Sequence, residues 1–253
     1  MYTDTHAHLY YDELKDQLDS VIERAREASV ERIICVSTDL ASSQTSISIA
    51  EQFDGVFATA GVHPHDAKDA PNDYLMQLKE LLTHDKVVAV GEMGLDYFRN
   101  FSPSDIQRVI FQSQLELAGE LEMPAVIHNR DADEDLLHII ENVSPSKAVI
   151  HCFSSDVLIA ERALEAGCLL SFTGNVTFGK DSAETVLNAT PIDRIMLETD
   201  CPFMTPVPYR GKVNEPSNIP FICDRIAEIK QMEPMEVARI TSATAQDFFG
   251  LSA

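Results

Sequence analysis

Short, apolar, β-rich segments recur at fairly even intervals along the chain, at residues 2–8, 32–38, 56–63, 87–95, 125–128, 148–153, 168–173 and 195–200. They predict eight strands. Between them the apolar period changes from two to near 3.6. Leu14, Leu18, Val21, Ile22, Ala25 and Ala28 fall on one face of a helix. Ile106, Val109, Ile110, Leu117 and Leu121 predict a second apolar face, with Ser102, Pro103 and Asp105 reading as its N-cap, first-turn proline and capping acid. Strand alternating with helix over the whole length implies a parallel sheet. An open, doubly wound sheet fits the same pattern. Neither G-x-G-x-x-G nor G-x-x-x-x-G-K-[ST] occurs, however, and eight strand–helix repeats match a (β/α)8 TIM-type barrel. After the eighth strand a loop rich in Pro and Gly leads to two extra C-terminal helices, at about residues 220–231 and 234–249. The last is expected to close the bottom of the helical ring.

With 253 residues and 45% hydrophobic content, the chain matches one barrel domain spanning 1–253. No apolar run approaches the length of a membrane span, and the N-terminus lacks the basic start and apolar stretch of a secretory signal. Five cysteines, odd in number and without C-x-x-C spacing, read as free thiols in a reducing compartment, so a cytoplasmic location is expected. No obligate protein partner is implied. The net charge of −22 excludes an extended basic face of the kind that grips duplex nucleic acid. A phosphate substrate would have to be held locally, by metals and a few placed cations.

Candidate chemistry gathers at the ends of the strands. His6 and His8 stand at i and i+2 on the first strand, so both side chains leave one face. Glu92, His128 and His151 end the fourth, fifth and sixth strands, and Asp200 ends the eighth. In a barrel these C-terminal ends converge on one mouth, where barrel enzymes place their sites. Six buried imidazoles and carboxylates without partners would each cost several kcal/mol, and metal binding gives them partners. Histidine-rich sites with carboxylates suit Zn, Mn or Co, although Mg also serves many nucleases. Two ions roughly 3.5–4 Å apart can clamp the attacking and leaving oxygens of a phosphodiester and activate the water between them. Asp200, a carboxylate beside that water, is the candidate proton acceptor. Arg130, Arg210 and Lys212 are candidate substrate contacts, and Arg99 and Lys180 fall in loops on the same face. Asp96 could orient a ligand imidazole or pair with Arg130. Glu198 reads as an internal hydrogen-bond partner. Strand alternation turns Cys152 and Cys201 towards the helices, as small core residues. His84 and His138 read as ordinary residues of helical stretches.

The segments DTHAHL, GVHPH, GEMGLDYFRN, IHNRDA, HCFS, GNVTF, ETDCPF and PYRGKVNEPSN, in this order, resemble the TatD family of metal-dependent deoxyribonucleases within the amidohydrolase superfamily. The resemblance runs from the first residues to about Asn218. It implies a (β/α)8 barrel with two divalent ions. His6, His8 and Asp200 match the ligands of one ion, His128 and His151 those of the other, and Glu92 the bridging carboxylate, while His63 resembles the family's substrate-side histidine and is a further candidate substrate contact. It also implies 3′→5′ exonuclease action on DNA ends, with single-stranded DNA the expected partner. The alternative is a dinuclear-metal amidohydrolase or esterase acting on a small non-nucleic substrate.

Overall fold

Each of the eight predicted segments forms a strand in the computed structural model, which describes residues 1–179 and 181–251. The strands are Tyr2–Ala7 (β1), Val30–Cys35 (β2), Val56–Ala60 (β3), Val87–Asp96 (β4), Ala125–Arg130 (β5), Ala148–Ile150 (β6), Leu169–Phe172 (β7) and Ile195–Leu197 (β8). They pair in chain order, all parallel. Around them run helices Asp12–Lys15 (α1), Leu18–Glu27 (α2), Leu40–Gln52 (α3), Tyr74–Leu81 (α4), Ser104–Glu120 (α5), Asp133–Val143 (α6), Val157–Glu165 (α7), Asp181–Ala189 (α8), Ile219–Lys230 (α9) and Pro234–Phe249 (α10). The result is a nearly closed TIM barrel with two added helices. At the seam between β8 and β1 an isolated bridge, Ala7 to Cys201, replaces a ladder. Around it the Thr5 hydroxyl donates to the Leu197 carbonyl at 3.1 Å, and the Asp200 N–H to the His6 carbonyl at 2.8 Å.

Alternation sorts the strand residues into two layers. Ile33, Cys35 and Ile127 join the large core under the helices. Ile34, Val36, Ala89, Val126, Val149 and Met196 pack instead with Phe248 and Phe249 of α10. The last helix therefore plugs the floor of the barrel itself. Above that floor the same parity continues upward, from Val126 to His128 and from Val149 to His151.

Two helical expectations change. The stripe expected over 14–28 is split, because the chain leaves the helix at Asp16–Gln17 between α1 and α2. In α5 the buried face is Gln107, Phe111, Gln114, Leu115, Leu117 and Ala118, whereas Val109 is 64% exposed. Two buried glutamines explain the rotation. Gln114 accepts the Val62 N–H at 2.7 Å and donates to the Val62 carbonyl at 2.9 Å, and Gln107 does the same for Asp96 at 2.8 and 3.1 Å. A side-chain amide offers the same donor and acceptor as a peptide unit, so each glutamine extends a strand's pairing sideways. Ser102 is not the N-cap of this helix, which begins after Pro103. Its buried hydroxyl donates to the His65 carbonyl and accepts the Lys68 N–H, tying the loop after β3 to the loop after β4.

β4 departs from simple alternation. Ala89 faces the barrel floor, so strict alternation would turn Glu92 outward, yet Glu92 is buried among the mouth residues. The register slips between Val90 and Met93, where Gly91 takes φ +145°. A Cβ on Gly91 would meet the Val126 carbonyl oxygen at 2.6 Å, and one on Gly94, at φ +142°, the His128 carbonyl oxygen at 2.0 Å. Only glycine fits either place. Gly94→Ala is therefore expected to lower the unfolding free energy by about 2–5 kcal/mol, combining backbone strain with overpacking. Gly119→Ala, in α5 with open space around it, should instead stabilise by about 0.5–1 kcal/mol. Denaturant titration of both variants checks this, and an unchanged midpoint for Gly94→Ala would contradict it.

Candidate metal centre

The structure brings together all six residues singled out as ligands. His6 is fully buried, and His8, Glu92 and His151 are each no more than 5% exposed. They arrive from different strands. His6 lies on β1, with His8 just past its end, Glu92 lies in the irregular stretch of β4, and His128 lies on β5. His151 follows β6 directly. Asp200 stands three residues beyond β8 with φ +53°, a left-handed turn that Asp tolerates better than most side chains.

Glu92 organises the group through its two oxygens. His6 Nε2 lies 3.4 Å from Oε2 and His8 Nε2 3.9 Å, while Asp200 Oδ1 lies 3.3 Å from His8 Nε2 and 3.8 Å from His6 Nε2. On Oε1 stand His151 Nε2 at 2.8 Å, His128 Nδ1 at 2.9 Å and His63 Nε2 at 3.5 Å. Three combinations have ligand atoms close enough to share an ion: His6–His151–Asp200, His6–His8–Glu92 and His63–Glu92–His128. Atoms ~2.0–2.2 Å from one ion stand ~3.0–3.5 Å from one another, and the separations here, from 2.8 to 3.9 Å, bracket that spacing.

The hydrogen bonds on the far side of the rings test the fit further. His8 Nδ1 lies 2.8 Å from the Val36 carbonyl, which can only accept, so Nδ1 carries the proton. A neutral His8 then turns a bare Nε2 lone pair towards Asp200. His128 repeats the arrangement, with Nε2 3.3 Å from the Asp96 carboxylate and Nδ1 turned to Glu92. A lone pair facing a carboxylate repels it unless a proton or a metal ion lies between. The residues present therefore fit a divalent metal held by these imidazoles and carboxylates.

The titration of the groups follows from the same geometry. Burial pushes the Glu92 carboxyl up, but His151, His63 and His6 more than offset this and hold it well below the usual carboxylate range. Burial also opposes ionisation of Asp200, and its hydrogen bond from His8 with the charges of His6 and His151 brings it down. Among the imidazoles, burial lowers all. The Asp200 bond overcomes it at His8, the Asp96 and Glu92 bonds at His128, and the Glu92 charge most strongly at His151, so these three are raised. His63 lacks such compensation and stays well below its ordinary value.

A cavity of about 350 Å³ opens above these groups, lined among others by His8, His63, Glu92, Arg99, Arg130 and Asp200. A cleft of about 600 Å³ against α10 is larger, but its lining holds one acidic residue, Glu236, and no imidazole or thiol. Of the four expected substrate contacts, His63 and Arg130 line the cavity. Arg210 and Lys212 lie outside its lining, with the Arg210 guanidinium 4.0 Å above the Phe178 ring and Lys212 5.1 Å from the Tyr209 ring. Lys180 falls outside the described residues. Asp96 does not pair with Arg130. It takes His65 at 2.9 Å and His128 at 3.3 Å, while Arg130 stacks on Phe98. Glu198 accepts the Cys152 N–H and the Ser171 hydroxyl, both at 2.6 Å, and stands 3.6 Å from His151 Nδ1. Cys201 is buried as expected, but Cys152 does not face the helices. β6 ends at Ile150, and Cys152 takes φ +46°, which sets its thiol 3.5 Å from the Thr173 hydroxyl. His84 follows α4 rather than lying in it, and meets Glu51.

Comparison with known proteins agrees with this geometry. The family model described as TatD-related DNase matches residues 3–250. The chain belongs to this family. An uncharacterized metal-dependent hydrolase of Bacillus subtilis is 42% identical, the match covering all of both chains. A 3′-5′ ssDNA/RNA exonuclease TatD of Erwinia tasmaniensis is 35% identical over 92% of this chain and 93% of its own. The crystal structure of a TatD homologue from Escherichia coli superposes with a TM-score of 0.94 at 26% identity, covering 99% of this chain and 98% of that one. The protein is thus a TatD-type metal-dependent hydrolase on an amidohydrolase-like barrel.

Within this TatD-type mouth some residues escape the sequence reading. Asp4 shares the parity of His6 and His8 and is fully buried, accepting the Thr199 hydroxyl at 2.6 Å and the Thr199 N–H at 2.9 Å. Burial pushes its carboxyl up to about 7. Its position at i−2 from His6 was a visible signal. Phe203, on the cavity wall, offered none.

The raised imidazoles carry a consequence for stability. Groups whose folded pKa exceeds the ordinary 6.5 contribute stability below that pH and lose it as pH rises through the folded value. His63 and His6, which are lowered, act only below 6.5. Chelator-treated protein should therefore melt at a lower temperature at about pH 8.5 than at about pH 6.5, and added divalent ion should restore the loss. A melting temperature flat or rising over that window, without metal, would contradict the assignment.

Proposed function

We propose that this protein is a divalent-metal-dependent nuclease that shortens single-stranded DNA from its 3′ end. The observation that carries the reading is Glu92, whose two oxygens face two separate groups of ligand atoms at the floor of one cavity. His6, His8 and Asp200 would hold one ion, His128 and His151 the other, with Glu92 between. Two such ions, whether Zn, Mn, Mg or Co, supply Lewis-acid stabilisation of an in-line phosphodiester displacement. The chain's own groups do the rest. Asp200, held ionised beside His8, accepts the proton of the attacking water. His63, kept neutral by burial, and Arg130 orient the phosphate from the cavity wall. Arg210 and Lys212 meet the strand farther out.

The 3′-5′ ssDNA/RNA exonuclease naming of the Erwinia relative supports a nucleic-acid substrate. The net charge of −22 favours the second reading, hydrolysis of a small ester or amide by the same residues. The five free thiols support a cytoplasmic site of action.

Glu92→Gln should reduce the occupancy of both ions, because one carboxylate serves both, and metal analysis reads this directly. Asp200→Asn, nearly isosteric, should keep the fold and lower turnover of a labelled oligonucleotide by about 10²–10⁴. Turnover equal to wild type at saturating metal would remove Asp200 from the proton-accepting role. An acidic chain can engage few phosphates, so the salt dependence of single-strand binding should correspond to roughly two to four contacts, each contributing about −0.7 to the slope. Linear single strands should be shortened and closed circles spared. Rapid cleavage of circles, or preferential turnover of amides and lactones, would refute this function.

A further inference from the structure

All three exposed phenylalanines among the described residues sit at the mouth of the barrel. Phe98 and Phe101, each 56% exposed, follow β4, and Phe203, 48% exposed, follows β8 across the barrel from it. Each is fixed against a residue of the site. Phe203 packs edge-to-face on Tyr11 at 5.5 Å, Tyr11 packs on His8 at 5.3 Å, and Phe203 itself lies 6.5 Å from the His8 ring. On the other side Phe101 packs on His65 at 4.8 Å, and the Arg130 guanidinium lies 3.9 Å from the centre of the Phe98 ring. Phe203 and Tyr11 on one side, and Arg130 and His65 on the other, line the cavity whose floor carries the carboxylates and imidazoles, with Phe98 and Phe101 packed on the latter pair.

We propose that Phe203 and the Arg130–Phe98 stack are nucleobase-stacking subsites, which grip the bases on either side of the phosphate held at Glu92. The proposal rests on the nuclease reading and deepens it. Half-exposed aromatic rings lose apolar surface to water unless something covers them, and clustering at one mouth marks a surface that binds. The charge of the site says what covers them. Asp66, Glu92, Asp96 and Asp200 line the same cavity, in a chain carrying −22 overall, so phosphate neutralisation alone makes a weak grip. Base stacking supplies binding without requiring net positive charge, and it tolerates any sequence because every base has a π-face. A planar guanidinium on a phenyl ring continues such a stack and adds a cation for the neighbouring phosphate. Bases in a duplex are already stacked on each other, so the same walls select single strands.

A double-mutant cycle on the metal-loaded enzyme tests this, pairing Phe203→Leu with removal of one base from the substrate. The probe is a 5′-labelled oligothymidylate, compared with two strands that each carry a single abasic residue, one at the last and one at the penultimate 3′ position. In wild type, base removal should lower kcat/KM by about 5- to 150-fold, the range spanned by stacking one base. Phe203→Leu, which keeps an apolar surface but no π-face, should lower kcat/KM on the intact strand and shrink the penalty for base removal towards onefold. Phe203→Trp should keep the penalty. An equal penalty in wild type and Phe203→Leu, or abasic strands cleaved as fast as intact ones, would overturn the subsites while leaving the nuclease reading standing. Turnover of esters or amides with none of the strands cleaved by wild type would overturn both. Metal content and melting temperature of each variant, unchanged for side chains this exposed, separate either result from misfolding.

Discussion

The burial of one carboxylate governs this molecule. Glu92 is 2% exposed at the floor of the mouth, and an isolated ion in such a place costs several kcal/mol. Five imidazoles close around it or around its partner Asp200, and their charge is what keeps it ionised. Those imidazoles are themselves largely buried, and His8, His128 and His151 hold a proton above the ordinary range only through a carboxylate, whereas burial keeps His6 and His63 below it. The centre is therefore a mutual arrangement in which no member is stable alone. Protons can satisfy it, as can metal ions, and the fixed tautomer of His8 presents a lone pair inward for either.

The backbone is bent to serve that arrangement. Glu92 reaches the mouth because β4 changes phase at Gly91, in a conformation closed to other residues. The neighbouring loops are then fixed by side-chain amides, Gln114 on Val62 beside His63 and Gln107 on Asp96 behind His128. Each amide sits in a helix and holds a strand end. Apolar packing has no preferred direction, whereas these bonds do, which is why two polar residues occupy the buried face of α5.

Legibility in the sequence followed the regularity of the backbone. Parity on β1 put His6 and His8 on one face although the pairing of β1 with β2 slips between Asp4 and Ala7, and His128 was found at the end of the regular strand β5. Glu92 was found from its position at a strand end, although alternation counted from Ala89 would have turned it away. Cys152 was misplaced for the same reason in reverse, since alternation was carried past the end of β6 into a left-handed turn. The face of α5 was misread because a hydrophobic period cannot register buried amides that bond to backbone. Arg130 and Asp96 carry opposite charges at the ends of β5 and β4, and nothing in their spacing says that one stacks on a ring while the other holds imidazoles.

The seam of the barrel explains why the site sits where it does. Seven pairs of strands are joined by ladders, but β8 and β1 meet through one bridge and a few single bonds. His6, His8 and Asp200 all stand at that seam. Their separation depends on discrete contacts, chiefly the Asp200 N–H on the His6 carbonyl, the His8 N–H on the Cys201 carbonyl and Thr199 on the Asp4 carboxylate. A full ladder there would fix Asp200 in an extended strand, its side chain alternating with its neighbours. Ending β8 at Leu197 instead frees the chain to turn left-handed at Asp200 and bring the carboxylate beside both histidines. The incomplete closure is thus the structural condition for bringing Asp200 beside His6 and His8, as the phase change in β4 is for setting Glu92 between those imidazoles and His128 and His151.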